Sequence, residues 1–338
     1  MKQTLFGFAC LATLSFSAKA QLADSLKKHL DTAFSIMQEH SYYSKKVDWR
    51  SEKETAYRNA SGVTTREGLF PVIAAAFKKL EDHHGWFEQY NDKIKLDVSN
   101  AVPPSENMLK EWAKGPKIIA KMLGDVAYLR IPGMPAYNQK GIDLYANWLT
   151  DSLVSLATKK PKAWIIDLRL NTGGNIIPMM GPFSAFFPEG IISYYMDRDK
   201  KIVTTAEKRK GIFYQDDTVH ANIRQPLPDL HRVAVAVIIG SGTGSSGEGV
   251  AHNFKERKNT RLFGEATAGV ANATQGFIFN EEQSYFLLTT AIMANKKKKA
   301  FPEIVVPDAL VKHNDLFENV SGDNAVMAAM KWLEGNKK

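Results

Sequence analysis

Three short apolar runs, Val126 to Ile131, Ala163 to Leu168 and Val233 to Ile239, constrain this chain more than any other feature. Each is too short for a typical helix, and each gives way to a turn and then to a helical stretch. Strands that alternate with helices pack as a largely parallel sheet covered by helices. Residues 125–338 are therefore expected to form one α/β core.

The N-terminal part has a different texture. Leu22, Leu26, Leu30, Phe34 and Met37 recur every three or four positions, the stripe of an amphipathic helix. A second helix is expected after Thr64, where Thr64-x-x-Glu67 has capping-box spacing and Pro71 is tolerable near a helix start. Ile73, Phe77 and Leu80 continue its apolar face to Asp82-His83-His84-Gly85, with Gly85 as a natural stop. Residues 21–84 thus read as a small helical domain. Residues 85–124, punctuated by Pro103-Pro104 and Gly115-Pro116, read as a connector too short for a further whole domain.

Residues 1–20 read as a signal peptide: Lys2, an apolar run from Leu5 to Phe16, and the small-x-small site Ala18-Lys19-Ala20. The expected location is outside the cytoplasm, periplasmic or secreted. No later stretch approaches the ~20 apolar residues of a membrane helix, so no membrane span is expected. Cys10 is the single cysteine and lies in the leader, which excludes disulfides, thiol nucleophiles and thiolate metal sites from the mature chain. The formal charge of +8 is scattered apart from Lys296 to Lys299. That run lacks interleaved aromatics and reads as a solvated loop or strand edge, so no nucleic-acid partner is expected. The eight histidines include no His-Glu-x-x-His pair, and neither metal nor cofactor is expected.

Two glycine-rich turns follow the strands. The first, Gly240-Ser-Gly-Thr-Gly-Ser-Ser-Gly247, runs into a helix start and places Ser245 and Ser246 where unpaired backbone N–H groups favour an anion. Two rival readings are a passive glycine-serine loop and a dinucleotide fingerprint, Gly242-x-Gly244-x-x-Gly247 with Glu265 as the ribose acid. The fingerprint suits neither a position late in the chain nor an exported protein. The second turn, Asp167-Leu-Arg169-Leu-Asn171-Thr-Gly173-Gly174, ends a strand at the carboxyl edge of the sheet, where α/β proteins place their sites. Asp167, Arg169 and Asn171 are expected to hold this turn.

In this order, Leu80-x-Asp82-x-His84, Val126 to Ile131, Asp167-Leu-Arg-x-Asn-x-Gly-Gly174, Thr243-Gly-Ser-Ser-Gly-Glu248, Gly264-Glu-Ala-Thr-Ala-Gly269 and Val306-Pro307-Asp308 resemble the successive motifs of the C-terminal-processing and tricorn-type serine peptidases. The resemblance implies a ClpP/crotonase-like core and peptide-bond hydrolysis through an acyl-enzyme. It implies Ser245 as nucleophile, and oxyanion-hole amides from Ser246 with one of Gly173 or Gly174. Processing-type members carry a lysine base just after the glycine matching Gly269, where this chain has Val270. Serine needs another base, and tricorn-type members take a histidine from the helical region, which points to His84. His83 stands where that family often has serine. His252, seven residues along a helix from Ser245, lies about 10 Å away and is too distant. Glu303 is the candidate for the family's late orienting acid, with Glu265 and Glu248 as alternatives. No PDZ domain fits in residues 85–124, so short peptides or unfolded chains are the expected substrates. The competing expectation is a non-catalytic extracellular binder of an apolar ligand, or an esterase using the same serine.

Overall fold

A computed structural model describes residues 22–97 and 102–335. The expected signal peptide lies outside the described residues. In chain order the helices are α1 (Asp24–His40), α2 (Trp49–Asn59), α3 (Phe70–Lys79), α4 (Glu106–Ala113), α5 (Gln139–Ala157), α6 (Ile177–Phe183), α7 (Ser246–Lys255) and α8 (Asn324–Gly335). The strands are β1 (Trp86–Gln89), β2 (Asp92–Lys95), β3 (Ile119–Leu123), β4 (Val126–Arg130), β5 (Ala163–Asp167), β6 (Gly190–Met196), β7 (Ile202–Arg209), β8 (Ile212–Gln215), β9 (Ala234–Ile239), β10 (Thr260–Gly264), β11 (Ala273–Phe279), β12 (Ser284–Asn295) and β13 (Ala309–Leu310).

The fold is α/β. Among the described residues one sheet has the order β13-β10-β9-β5-β4-β3, parallel throughout except for the antiparallel edge strand β3. The apolar runs form its centre, and their side chains alternate between two cores because strand residues point to opposite faces. Leu129, Trp164, Ile166 and Val237 pack with residues of α5, α6 and α7, whereas Tyr128, Ile165 and Ile238 pack beneath α8. Burial on both faces explains why these strands read as continuous apolar runs.

A second, antiparallel sheet has the order β2-β1-β12-β6-β7-β8, with β11 also on β12. The long strand β12 pairs with β1 and β11 over its first part and with β6 at its end. Helices α1 and α3 cover one face of this sheet, burying Phe34 and Phe77 with Phe87, Phe286 and Leu288.

Several local expectations are corrected. The segment read as a connector carries β1, β2, α4 and β3, so its first strands join the second sheet and its last joins the first. Helix α2 was not legible, since it buries little beyond Ala56 and shows no apolar stripe. The expected capping box at Thr64 does not form: a 3-10 turn, Glu67–Leu69, precedes α3, whose N-cap Leu69 makes no side-chain cap hydrogen bond, and Thr65 Oγ1 accepts from Gly68 N at 3.2 Å within that turn. Gly85 is not the residue that ends this helix; Glu81 takes the left-handed conformation, φ 54°. Gly85 is required for another reason: a Cβ there would lie 2.5 Å from the Leu287 carbonyl oxygen of β12.

Candidate active site

Adjacent parallel strands bring the two glycine-rich turns together. Asp167 of β5 lies opposite Ile238 of β9, so the segments that follow leave the sheet at one edge. Gly244 N donates to the Asn171 carbonyl at 2.9 Å, and Thr243 Oγ1 donates to the Leu168 carbonyl at 2.9 Å. Beneath them Arg169 forks onto Asp167 at 2.6 Å and onto Asp323 at 2.7 Å, and Tyr128 donates to Asp167 at 2.7 Å. All four are buried, and the Arg169 guanidinium holds the Asp167 carboxyl below its usual range against the opposing effect of burial.

Ser245 forms the elbow between β9 and α7 at φ 50° and ψ −119°. A non-glycine residue at positive φ is strained and persists only when its surroundings hold it. The holding group is Glu248, fully buried, which accepts from Ser245 N at 2.8 Å, Gly269 N at 2.7 Å, Val270 N at 2.9 Å and the Thr267 hydroxyl. Burial pushes its carboxyl up to about 7 despite these four donors. Glu248 is thereby committed to these four donors, one of them the amide of Val270, the residue that stands where processing-type members carry lysine.

Gly173 packs against this elbow so closely that a Cβ would lie 2.7 Å from Ser245 Cβ. The Gly173 amide donates to Asn171 Oδ1 at 3.0 Å. Of the two glycines it is therefore Gly174, at φ 106°, whose N–H has no acceptor among the described residues, as is also true of Ser246 N–H at the start of α7. Ser246 Oγ donates to the Gly174 carbonyl at 2.7 Å and ties the two segments.

Ser245, Ser246 and Gly174 line a cleft of about 550 Å³, whose opposite wall includes Ala271, Asn272 and Thr274. Asn272 also belongs to a polar cluster beyond the cleft. Its Nδ2 donates to Glu303 Oε1 at 3.0 Å and lies 3.0 Å from the Tyr43 hydroxyl, which itself donates to Glu303. His84 borders the same group: burial lowers its imidazole below the ordinary value, Asp82 opposes this, Lys95 adds to it, and the Asn272 backbone and Glu303 favour the charged form. Its Nδ1 is buried without a partner. Asp82 fixes the turn, accepting from His84 N at 3.1 Å, Gly85 N at 2.9 Å and, on β12, Thr289 N at 2.7 Å. Ser245 and His84 make no hydrogen bond with each other.

The other candidates are placed elsewhere. His83 Nδ1 meets the Asp97 carbonyl at 2.7 Å. His252 is buried on α7 with Nε2 2.9 Å from the Pro302 carbonyl and its ring stacked on Phe301, and burial lowers its imidazole to about 4. Glu265 pairs with His313 at 3.1 Å. Lys296 to Lys299 form an exposed turn closed by Asn295 N donating to the Lys299 carbonyl at 3.0 Å. Tyr43 and Asn272 were missed by sequence reasoning. Each is an isolated polar residue whose partners lie far along the chain, and no local spacing announces them.

The model of Peptidase family S41 matches residues 125–311. The nisin-resistance protein of Lactococcus lactis subsp. lactis is 22% identical over 93% of this chain and 89% of its own length. The carboxy-terminal-processing protease of Bartonella bacilliformis is 22% identical over 70% of this chain and 50% of its own. Among solved structures, a lipoprotein from Streptococcus agalactiae superposes with a TM-score of 0.64 at 17% identity, covering 93% of this chain and 98% of that one. The photosystem II D1 C-terminal processing protease superposes at 0.60 with 12% identity, covering 91% and 98%. Among the described residues no helix is long and apolar enough to cross a membrane.

Proposed function

We propose that this protein, which belongs to peptidase family S41, hydrolyses peptide bonds of short peptides or unfolded chains outside the cytoplasm, with Ser245 as nucleophile and His84 as base. The observation that carries the reading is the strained Ser245 elbow, held by Glu248 at the start of α7 and open to the cleft. Ser245 Oγ attacks the substrate carbonyl carbon while its proton passes to His84. The Ser246 and Gly174 N–H groups take the charge developing on the carbonyl oxygen. His84 then gives its proton to the departing amine, and water hydrolyses the resulting ester. A neutral imidazole is what a base requires at neutral pH, in keeping with the lowered His84 value. Glu303, through Asn272 and Tyr43, orients that side of the site and favours the imidazolium as it forms. Ser245 and His84 share no hydrogen bond in this substrate-free site, and catalytic contacts of this kind commonly form only as substrate binds.

A second cavity of about 390 Å³ shares Gly174 and Tyr137 with the cleft, and the two together suit an extended peptide running past the elbow. The test is hydrolysis of a mixed peptide library by the wild type beside Ser245→Ala, with fluorophosphonate labelling of both and of His84→Ala. Cleavage and labelling are expected to vanish in Ser245→Ala, and labelling to fall sharply in His84→Ala. Labelling unchanged in His84→Ala sinks the choice of base. A folded wild type that neither cleaves nor labels makes this a binding protein instead.

A further inference from the structure

No Asp, Glu, Lys or Arg lines the cleft that holds Ser245, among the described residues, although charged residues make up 24% of the chain. Its wall opposite α7 is the second sheet, where Met293, Tyr195 and Thr204 sit side by side on β12, β6 and β7 in register. Beside Gly249 of α7 the lining includes two apolar side chains: Ile176 and Met293 close on that glycine so tightly that a Cβ there would lie 2.9 Å from Ile176 Cδ1 and 3.0 Å from Met293 Sδ. Farther along the row the wall turns polar, with Thr204, Tyr195 and Gln215. The Gln215 amide oxygen is buried and has no hydrogen-bond partner. An unsatisfied buried acceptor is costly unless a ligand supplies the missing donor.

We propose that the substrate side chain seated in this cleft is long and uncharged with a hydrogen-bonding tip, glutamine above all, its methylenes against Ile176 and Met293 and its amide against Gln215 and Thr204. This rests on reading the cleft as a peptide site. A glutamine amide is both donor and acceptor, so it satisfies Gln215 whichever way that side chain is turned. Leucine fills the apolar part but leaves Gln215 unpaired. Lysine, arginine, aspartate and glutamate would bring a charge into a cleft with no counter-charge, the most heavily penalised case.

The test uses one peptide scaffold scanned position by position with Gln, Leu, Lys and Glu. Cleavage is measured with the wild type, Gln215→Leu and Thr204→Val, and binding with the same set on a Ser245→Ala background. At one position Gln is expected to exceed Leu by roughly 10-fold, as for one or two hydrogen bonds, and to exceed Lys or Glu by at least about 100-fold. In Gln215→Leu the order of Gln and Leu reverses, and Thr204→Val narrows it. Equal use of charged residues at every position, or an unchanged order in both variants, overturns the proposal while leaving the peptidase reading intact. Binding with the Gln preference but no cleavage by the wild type overturns the peptidase reading and upholds this one. Neither binding nor cleavage overturns both.

Discussion

Replacing Gly173 with alanine separates two demands that the Ser245 elbow makes on one residue. Its φ of 102° is unfavourable for any residue with a Cβ, and the added carbon would meet Ser245 Cβ at 2.7 Å, the Gly244 carbonyl at 2.9 Å and Ser246 N at 3.1 Å. Gly190 offers the matched control, with φ 105° and nothing within 4 Å of its built Cβ. Positive φ alone costs about 1–2 kcal/mol, so Gly190→Ala should lose that much stability, a shift of a few degrees in Tm, and keep its activity. Gly173→Ala carries the same strain and must also displace Ser245 or the 244–246 backbone by several tenths of an ångström. A misplacement near 1 Å reduces turnover by about 100-fold. The assay pairs thermal unfolding with the rate of fluorophosphonate labelling. Gly173→Ala that labels within threefold of the wild type, at a Tm equal to that of Gly190→Ala, refutes a positioning of Ser245, the proposed nucleophile, by close approach at this glycine.

Glu248→Gln should lower stability by about 2–4 kcal/mol and abolish labelling, because an amide NH₂ must face two of the four donors that now converge on the carboxyl; a denaturation midpoint within error of wild type refutes this. Arg169→Met leaves Asp167 and Asp323 buried without a cation, and about 3–5 kcal/mol of unfolding free energy should disappear. Urea titration measures it, and a loss below 1 kcal/mol contradicts the network's role. For pH, the proposed base His84 acts when neutral, and burial lowers its imidazole below the ordinary 6.5. The logarithm of kcat/KM should therefore rise with pH, bend below 6.5 and then stay level. Lys95→Met removes a charge that depresses the imidazole, so the bend should move upward; a downward move excludes His84 as the titrating base.

The parallel sheet was legible because β4, β5 and β9 are buried on both faces and so read as unbroken apolar runs. Ser245 was legible because a glycine-rich turn between strand and helix is a local pattern. The second sheet was not, since its strands are half-exposed and its pairings are distant: Trp86 faces Leu287, and Ile292 faces Met196. The same limit hid the polar cluster. Glu303 was reached only through family resemblance, and nothing near Tyr43 or Asn272 in sequence indicates that they meet it. Gly85 shows how a correct residue can be read for the wrong reason, as a helix stop when the constraint is a carbonyl from β12.

The seat of His84 is fastened from the far end of the chain. Asp82 reaches Thr289 across 207 positions, and β1, paired only with its neighbour β2 before then, joins the second sheet through β12. During synthesis the serine elbow and the first sheet's central strands precede that fastening. A chain interrupted before β12 would carry the Ser245 elbow but leave the turn that bears His84 without its anchor at Thr289. The proposed site is then assembled in the order of synthesis, its serine elbow before the turn that seats His84.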